Sequence, residues 1–254
     1  MGYDREFLLG GAKRNTMLQL EEVQRYGTES FADIDYVSVF GMPPPEWYAK
    51  GIRLLGRTAV ECTRDELANA IGADVGAAAG VGPNVEGRVV VDPFAGSGNT
   101  LYWMLHHLPG AQGIGFELDD AVFDVTRHNL SILGLPIDVV KADYMSGLTT
   151  MNVASNYLLI AFLAPPWGDA LDKAGCLDLR RTMPPIGQIV DVLFERFANP
   201  MLVVIQVYEN LNPASLVEVE ARFDWSVLRV YDLNVPGQNH GILLGGRRVE
   251  QPRD

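Results

Sequence analysis

The sequence predicts an α/β protein: a Rossmann-like, doubly wound and mostly parallel sheet that follows an N-terminal helical and aromatic arm. From residue 87 onward, short apolar runs alternate with segments of helical spacing. The apolar runs are nearly continuous, as expected of strands that are covered on both faces. Two such runs follow each other near the C-terminal end, so the last strand is expected to be antiparallel. We place the arm, which includes a lid, at residues 1–83 and the main domain at 84–254.

The composition narrows the possible partners. The chain has 254 residues, 48% of them hydrophobic, and a formal net charge of −12. Nucleic-acid binding depends on Lys and Arg, so this charge disfavours a nucleic-acid partner, although Arg180–Arg181 leaves room for a local basic patch. Cys62 and Cys176 form no C-x-x-C pair, and we expect neither a disulfide scaffold nor a metal site. There is no signal-peptide pattern and no run long enough to span a membrane. We expect a cytoplasmic protein without a membrane partner; the oligomeric state stays open.

The arm is expected to be ordered. The spacing of apolar residues predicts a helix over 16–26. A triple proline then precedes Trp47 and Tyr48, which are either core residues or a second wall of a binding pocket. A capping box from Thr63 to Glu66 predicts a short helix that stops at Gly72. The small residues of 72–87 predict a flexible connector to the main domain.

The main domain then continues as alternating strands and helices. The apolar patterns predict strands at 88–94, 112–117, 136–143, 156–164, 200–208, 224–233 and 240–249, with helices at 99–108, 120–134, 186–198 and 213–223 between them. In such a sheet, ligands bind beyond the carboxyl ends of the strands, where the strand order changes direction. The residues that end these strands are therefore the first candidates for function.

Acidic residues end three successive strands. Asp92 ends the first, Glu117 the second and Asp143 the third. Gly96 and Gly98 follow the first strand and allow a ligand to approach backbone N–H groups at a helix start. The loop has no phosphate-binding cation and lacks the third glycine of an NAD fingerprint. The pattern therefore favours a phosphate-free, positively charged ligand, and S-adenosylmethionine fits that description.

Each acidic residue suits one part of that ligand. We assign Asp92 to the amino-acid half, Glu117 to the ribose hydroxyls and Asp143 to the adenine amino group. The alternative is that the glycines make a compact turn and the acidic residues cap helices. The candidate cofactor residues are Asp92, Phe94, Gly96, Gly98, Asn99, Thr100, Glu117, Leu118, Asp143, Tyr144 and Ala164.

The fourth strand stops at Ala164, because Pro165 and Pro166 cannot donate to a sheet ladder. Outward carbonyls at Ala164 and Pro165 can accept hydrogen bonds from an incoming N–H and so orient its nitrogen lone pair. Methyl transfer is an in-line displacement, in which orientation supplies much of the rate. Trp167 can stack on a flat acceptor, although a core tryptophan is the alternative. Asp169 and Glu209 are candidate bases, and His240 is a weaker one.

These motifs together carry a family resemblance. "VDPFAGSGNT", "FELD", "KADY" and "APPWG", in this order, resemble class I S-adenosylmethionine-dependent methyltransferases that act on amino groups. The continuation is similar to the trimethylguanosine synthase family, which methylates the exocyclic amine of a cap guanine. The matching positions are Pro165 to Gly168, Asp178 to Arg180, and Pro185 with Gly187. The resemblance extends over residues 45–248 and implies a Rossmann-like methyltransferase with S-adenosylmethionine as cofactor.

Two departures concern the acceptor. The first motif position holds Ala164, where the family has a polar residue, so one side-chain acceptor for the target amine is missing. Glu209 stands after the fifth strand, where the family tends to be basic. A carboxylate in place of a cation suits a less phosphorylated or more cationic acceptor than an RNA cap.

We therefore expect an N-methyltransferase for a planar, heteroaromatic or nucleobase-like small molecule. The catalytic candidates are Ala164, Pro165, Pro166, Trp167, Asp169 and Glu209, and the substrate-binding candidates are Trp47, Tyr48, Trp167, Arg180 and Asn210. The alternatives are an RNA or DNA base methyltransferase of the guanine-N2 type and a C- or O-methyltransferase of a natural-product pathway. A module that binds the donor without catalysis is a further alternative.

Overall fold

A computed structural model describes residues 4–80, 85–232 and 240–251. Its strands are β1 (Gly87–Asp92), β2 (Gln112–Glu117), β3 (Ile137–Lys141), β4 (Tyr157–Leu163), β5 (Met201–Tyr208), β6 (Trp225–Val230) and β7 (His240–Arg247). They form one seven-stranded sheet in the order β3-β2-β1-β4-β5-β7-β6. The predicted fold class is confirmed, since β1 to β5 are parallel and β7 is antiparallel to both β5 and β6. The last predicted residue of the sixth strand, 233, lies outside the described ranges.

The helices cover both faces of this sheet. They are α1 (Arg5–Gly10), α2 (Leu20–Phe31), α3 (Pro44–Ala49), α4 (Gly56–Glu61), α5 (Asp65–Ala79), α6 (Asn99–His107), α7 (Asp120–Leu133), α8 (Tyr144–Thr150), α9 (Ile186–Arg196) and α10 (Pro213–Glu220). Alternate residues of the central strands divide between the two faces: Leu159 packs with α8 and α9, whereas Ile160 packs with α5 and α6. This alternation on continuously apolar strands is the physical reason for a doubly wound sheet.

The segment expected to be a flexible connector is mostly helix. α5 continues through residue 79, and its side chains share a core with the sheet. The glycines serve close packing: a Cβ on Gly72 would lie 2.7 Å from the carbonyl oxygen of Trp103, and one on Gly76 would lie 2.9 Å from that of His107. Small residues therefore let α6 approach the backbone of α5. The prediction is wrong for 73–79, and residues 81–84 lie outside the described ranges.

The predicted capping box at Thr63 is also wrong. α5 begins at Asp65, with Arg64 as the N-cap residue and no side-chain cap. The Thr63 hydroxyl instead donates to Gln206 Oε1 on β5, at 3.2 Å. A long-range partner has replaced the local one, and the arm is thereby joined to the sheet.

The arm has a core of its own. α1 to α4 bury an apolar cluster that includes Leu18, Val23 and Trp47 and continues onto Leu130 of α7. The helix predicted over 16–26 is α2, which begins four residues later because Gln19 and Glu22 form a capping box there. Within the described ranges, no helix is both long and apolar enough to cross a membrane.

Candidate active site

The first strand carries a buried carboxylate to the carboxyl edge of the sheet. Asp92 ends β1 and is 2% exposed. Its Oδ1 accepts a hydrogen bond from the Phe94 N–H at 2.9 Å. Burial, with a smaller contribution from the nearby charge of Glu117, raises the pKa of Asp92 from its ordinary value of 3.8 to about 7. A carboxyl group held in this state favours a cation that replaces the lost solvation.

The glycine turn follows directly. Gly96 and Gly98 both have positive φ angles, 51° and 76°, which L side chains rarely adopt. Gly98 is the N-cap residue of α6, so the turn presents the start of that helix to the crevice. The prediction that these glycines shape a tight turn at a helix start is confirmed.

Glu117 ends β2 beside this turn. Its two carboxylate oxygens accept from the Gly96 N–H at 3.0 Å and from the Asp119 N–H at 2.8 Å. Burial raises its pKa. Asp119 caps α7 by accepting hydrogen bonds from the N–H groups of Ala121 and Val122. The glycine turn and the ribose candidate are thus in direct contact.

The apolar cofactor candidates lie around these groups. Leu118 is 69% exposed, although it follows a buried strand. The rings of Phe94 and Tyr144 contact each other with centroids 5.7 Å apart. An exposed leucine next to Glu117 and a pair of rings at the neighbouring strand ends are what a flat, apolar base requires.

Asp143 is a helix cap. Its Oδ1 accepts from the N–H groups of Met145 and Ser146, each at 3.1 Å, and its Oδ2 accepts from the Ser146 hydroxyl. These bonds lower its pKa. Its position at the same edge as Glu117 is as predicted, but the cap alternative accounts for its side-chain contacts.

Asn99 does not line the crevice. It is 0% exposed, and its side chain joins the arm to the sheet. Oδ1 accepts from the Phe40 N–H at 2.7 Å, while Nδ2 donates to the Thr63 carbonyl and to Asp65. Its assignment to the cofactor is wrong, because this side chain is used to position the arm. Thr100 beside it is also buried, at 6% exposure.

The turn at Pro165–Trp167, which we call the acceptor turn, follows β4. The strand ends at Leu163, one residue before the predicted end, and the chain then runs through a buried Pro165 and an exposed Pro166. The Trp167 ring stacks on His240 with centroids 5.6 Å apart and meets the edge of Tyr208 at 6.2 Å. These three rings form an aromatic wall beside the turn.

Tyr208 was not predicted as a site residue, and His240 was predicted only as a weaker candidate base. Tyr208 ends β5, His240 begins β7, and the two are paired in the antiparallel register. The available signal was the predicted C-terminal strand pair, which brings an aromatic strand end opposite a histidine. Nδ1 of His240 is buried without a hydrogen-bond partner in the described part of the chain. Burial lowers the pKa of His240 to about 4, so its imidazole is neutral at physiological pH.

The polar acceptor candidates differ in availability. Asp169, Glu209 and Asn210 are exposed near the ends of β4 and β5. Arg180 is not free, because its guanidinium makes a two-point contact with Asp178, at 2.9 and 2.6 Å. Arg180 therefore already has an anionic partner, and its assignment to the substrate stays a prediction.

Trp47 and Tyr48 do not form a second pocket wall. Trp47 is 0% exposed, and its Nε1 donates to the Val37 carbonyl at 3.0 Å. Tyr48 packs under the guanidinium of Arg53, and the Arg53 backbone N–H donates to Asn129 Oδ1 in the later turns of α7. α7 begins at the carboxyl edge and runs away from it, so this part of the arm lies far from the acceptor turn. The core hypothesis holds for Trp47.

A different part of the arm covers the site. Arg57 of α4 donates to Asp119 Oδ2 at 2.7 Å, next to the end of β2. Six residues later Thr63 bonds Gln206 at the end of β5. α4 therefore crosses the carboxyl edge above β1 and β4, between these two contacts. No local sequence pattern marks either contact.

The comparisons with known proteins bear on the fold and on part of the sequence. No family model matches the chain. The trimethylguanosine synthase of Schizosaccharomyces pombe is 26% identical over 87 residues, which cover 33% of this chain and 35% of that protein. The match thus spans about a third of the curated relative.

Solved structures resemble a larger share. A proposed class I S-adenosylmethionine-dependent methyltransferase of Listeria monocytogenes has a TM-score of 0.52 at 14% identity, covering 76% of this chain and 64% of that one. A proposed O-methyltransferase of Klebsiella pneumoniae has 0.51 at 11% identity, covering 80% and 87%. The METTL16 methyltransferase domain has 0.50 at 15% identity, covering 74% and 70%. The chain has the class I methyltransferase fold, as the motif resemblance implied.

Proposed function

We propose that the protein is an S-adenosylmethionine-dependent methyltransferase that methylates a nitrogen of a planar small molecule. One observation supports this above the others. A buried carboxylate with a glycine turn, on β1, lies next to the Pro165–Trp167 turn on β4, in the crevice where the strand order reverses. Donor-binding and acceptor-orienting groups thus share one crevice.

The residues of the crevice fit this donor. Asp92 is buried, and its pKa is about 7. A cation stabilises its ionised form, which would pair with the ammonium group in the amino-acid half of S-adenosylmethionine. Glu117 presents a carboxylate to the ribose hydroxyls. Leu118 and the ring pair of Phe94 and Tyr144 offer apolar contact to the adenine. When bound, the donor supplies an electrophilic methyl group on a sulfonium.

The acceptor side requires orientation more than acid–base chemistry. The carbonyls of Ala164 and Pro165 accept N–H bonds and so direct the nitrogen lone pair, while Trp167 holds the ring flat. The nitrogen–carbon bond forms as the sulfur–carbon bond breaks, and S-adenosylhomocysteine leaves. The proton that the methylated nitrogen loses passes to water or to the exposed Glu209 or Asp169.

A second candidate is methylation of a nucleic-acid base. It is favoured by the partial match to trimethylguanosine synthase, and the net charge of −12 opposes it. The small-molecule proposal is the better supported of the two, because Arg180, the arginine expected at this rim, is already paired with Asp178.

The experiment is a turnover assay with matched variants. The protein, S-adenosylmethionine and a panel of heteroaromatic amines are incubated, with capped and uncapped RNA as separate arms, and S-adenosylhomocysteine is measured. Trp167→Ala should lower turnover about hundredfold or more while S-adenosylhomocysteine affinity stays within about twofold, because lost orientation acts on the chemical step. Trp167→Phe, which keeps a ring, should restore part of the activity.

Three outcomes would count against the proposal. Methylation of RNA alone would favour the second candidate. Unchanged turnover in Trp167→Ala would remove this residue from the site. Failure of S-adenosylhomocysteine to bind the wild-type protein, by calorimetry, would overturn both candidates.

A further inference from the structure

Asn99 connects the arm to the point where the glycine turn becomes a helix. It is the first residue of α6, directly after the N-cap glycine, and it is 0% exposed. Its Oδ1 accepts a hydrogen bond from the Phe40 N–H at 2.7 Å. Its Nδ2 donates to the Thr63 carbonyl at 2.8 Å and to Asp65 Oδ1 at 3.1 Å. All three partners belong to the arm, so a single side chain joins the two parts here.

Asp65 extends these contacts further along α6. Its Oδ1 also accepts from Trp103 Nε1 at 2.6 Å, and its Oδ2 accepts from the Gly41 N–H at 2.9 Å. Burial raises the pKa of Asp65, while these hydrogen bonds lower it. Both carboxylate oxygens of Asp65 and both polar atoms of the Asn99 amide are thus paired. A buried network whose members are all paired specifies one arrangement, and the loss of one member leaves the others unpaired.

The arm meets Asn99 with a tight turn. Val39 and Met42 exchange two backbone hydrogen bonds of 3.1 Å. Phe40, between them, has a φ angle of 58°, which L side chains rarely adopt. Its ring meets the ring of Tyr102 on α6 edge to face, with centroids 5.7 Å apart. Such a backbone conformation persists where the surroundings hold it, and at Phe40 the holding contacts come from α6.

The glycine turn is held from three directions. On the sheet, Glu117 accepts a hydrogen bond from the Gly96 N–H at 3.0 Å. On α7, the Thr126 hydroxyl donates to the Gly96 carbonyl. The arm holds the far end of the turn through Asn99, immediately after Gly98. Because glycine restricts the backbone less than any other residue, the shape of this turn depends on these outside contacts.

We propose that Asn99 is a positioning residue for donor binding. Its side chain transmits the docking of the arm to the glycine turn, and so fixes the first N–H groups of α6 at the donor crevice. The inference rests on the donor half of the proposed function. Asn99 itself does not contact the donor and acts through the turn that follows β1. Since coupling between two sites is reciprocal, a bound donor also stabilises the arm turn at Phe40.

Asn129 provides a matched control. It is also 0% exposed, and it joins the arm to α7. Its Oδ1 accepts from the Arg53 N–H at 2.9 Å, and its Nδ2 donates to the Arg53 carbonyl at 2.8 Å. Neither bond involves the glycine turn or α6. Replacing either asparagine by alanine leaves buried backbone groups of the arm unpaired, so both variants should be less stable than wild type. Only the variant at Asn99 should affect the donor.

The first experiment measures S-adenosylhomocysteine affinity of the full-length protein by calorimetry. Wild type, Asn99→Ala and Asn129→Ala are compared at a temperature at which urea unfolding shows each of them to be folded. Asn99→Ala should weaken binding about tenfold, the factor that the loss of one hydrogen bond accounts for. Asn129→Ala should stay within about twofold of wild type, although its midpoint of unfolding also decreases.

The second experiment follows amide hydrogen exchange in the wild-type protein by NMR. The Phe40 N–H donates to Asn99 and the Arg53 N–H donates to Asn129, so these two amides form a matched pair. Saturating S-adenosylhomocysteine should slow exchange at Phe40 at least about fivefold and leave exchange at Arg53 within about twofold. This comparison needs no variant, so the inference stays testable if Asn99→Ala does not fold.

Three results would overturn the inference. They are an unchanged S-adenosylhomocysteine affinity in Asn99→Ala, an equal loss of affinity in both variants, and equal exchange behaviour of the two amides. An equal loss would indicate that any loosening of the arm weakens binding. If the wild type binds S-adenosylhomocysteine and one of these results is found, the inference fails and the proposed function stands. If the wild type does not bind it, both fail.

Discussion

Replacing Asp92 by Asn separates the cost of burying a carboxylate from its use in binding. The substitution keeps the shape of the side chain and an oxygen that accepts the Phe94 N–H bond. It removes a group that is 2% exposed and whose pKa is raised from 3.8 to about 7 by burial. The unfolded chain ionises this group freely, whereas the folded protein resists its ionisation.

The sign and size of the stability change in Asp92→Asn follow from proton linkage. Between about pH 4 and 7 the folded state holds a proton that the unfolded state has lost, so the free energy of unfolding decreases as the pH rises. Each pKa unit corresponds to about 1.4 kcal/mol, and the difference of about three units gives an upper bound of about 4 kcal/mol above pH 7. Asp92→Asn should therefore be more stable than wild type at pH 8, by about 1–4 kcal/mol.

The assay is urea unfolding of both proteins at pH 4.5, 6 and 8, in the absence of donor. The stability advantage of Asp92→Asn should be small at pH 4.5, grow through pH 6 and level off above pH 7. Asp143→Asn is the internal control, because its change in the free energy of unfolding at pH 8 is expected to have the opposite sign. Hydrogen bonds from Ser146 lower the pKa of Asp143, so its ionised form stabilises the fold above the unfolded pKa and its loss should destabilise at pH 8.

Asp92→Asn should also bind the donor less tightly. S-adenosylhomocysteine affinity should decrease by at least about tenfold at pH 8, because the ammonium group loses its carboxylate. A variant that is less stable than wild type at pH 8, or whose advantage is constant with pH, would refute the burial argument. A variant that binds the donor normally would refute the assignment of Asp92.

Three further outcomes are expected. In the wild type, S-adenosylhomocysteine affinity measured by calorimetry should rise from pH 6 to 8, because the cation favours ionised Asp92, and Asp92→Asn should lose this dependence. Gly72→Ala should destabilise the protein by about 1–3 kcal/mol in urea, since its Cβ meets backbone at 2.7 Å, whereas Gly80→Ala, at 3.4 Å, should cost less. Arg57→Gln should weaken S-adenosylhomocysteine binding severalfold through Asp119, and Arg57→Lys should restore part of it; equal effects of both would indicate a steric role.

The fold was predictable because its signals are local. Parallel strands buried on both faces give continuous apolar runs, and β4, with "YLLIAFL", is buried along nearly all its length. The acidic strand ends and the glycine turn were predictable for the same reason, since Asp92 and Glu117 are the last residues of β1 and β2 and Gly96 lies in the turn after β1. α5 was missed because Gly and Ala indicate both linkers and close helix contacts, and only the position of α6 decides between them.

The acceptor end was less predictable because its contacts are distant in sequence. Thr63 and Gln206 are 143 residues apart, and the wall of Trp167, Tyr208 and His240 draws on three separate elements. Trp47 lies in a proline-rich aromatic segment that is typical of both lids and cores. Its indole N–H donates to the Val37 carbonyl within the arm, and the spacing of residues in the sequence does not predict this contact.

The reversal of strand order explains how the two halves of the site are coupled. From β1 the chain builds outward through β2 and β3 on one side and through β4 and β5 on the other. The helices that follow β1 and β4 lie on opposite faces, which leaves an open crevice between the two strand ends. α4 spans this crevice, held by Arg57 near β2 and followed by Thr63 at β5. α4 thus connects the end of β2, through Asp119, to the end of β5, through the Thr63–Gln206 hydrogen bond.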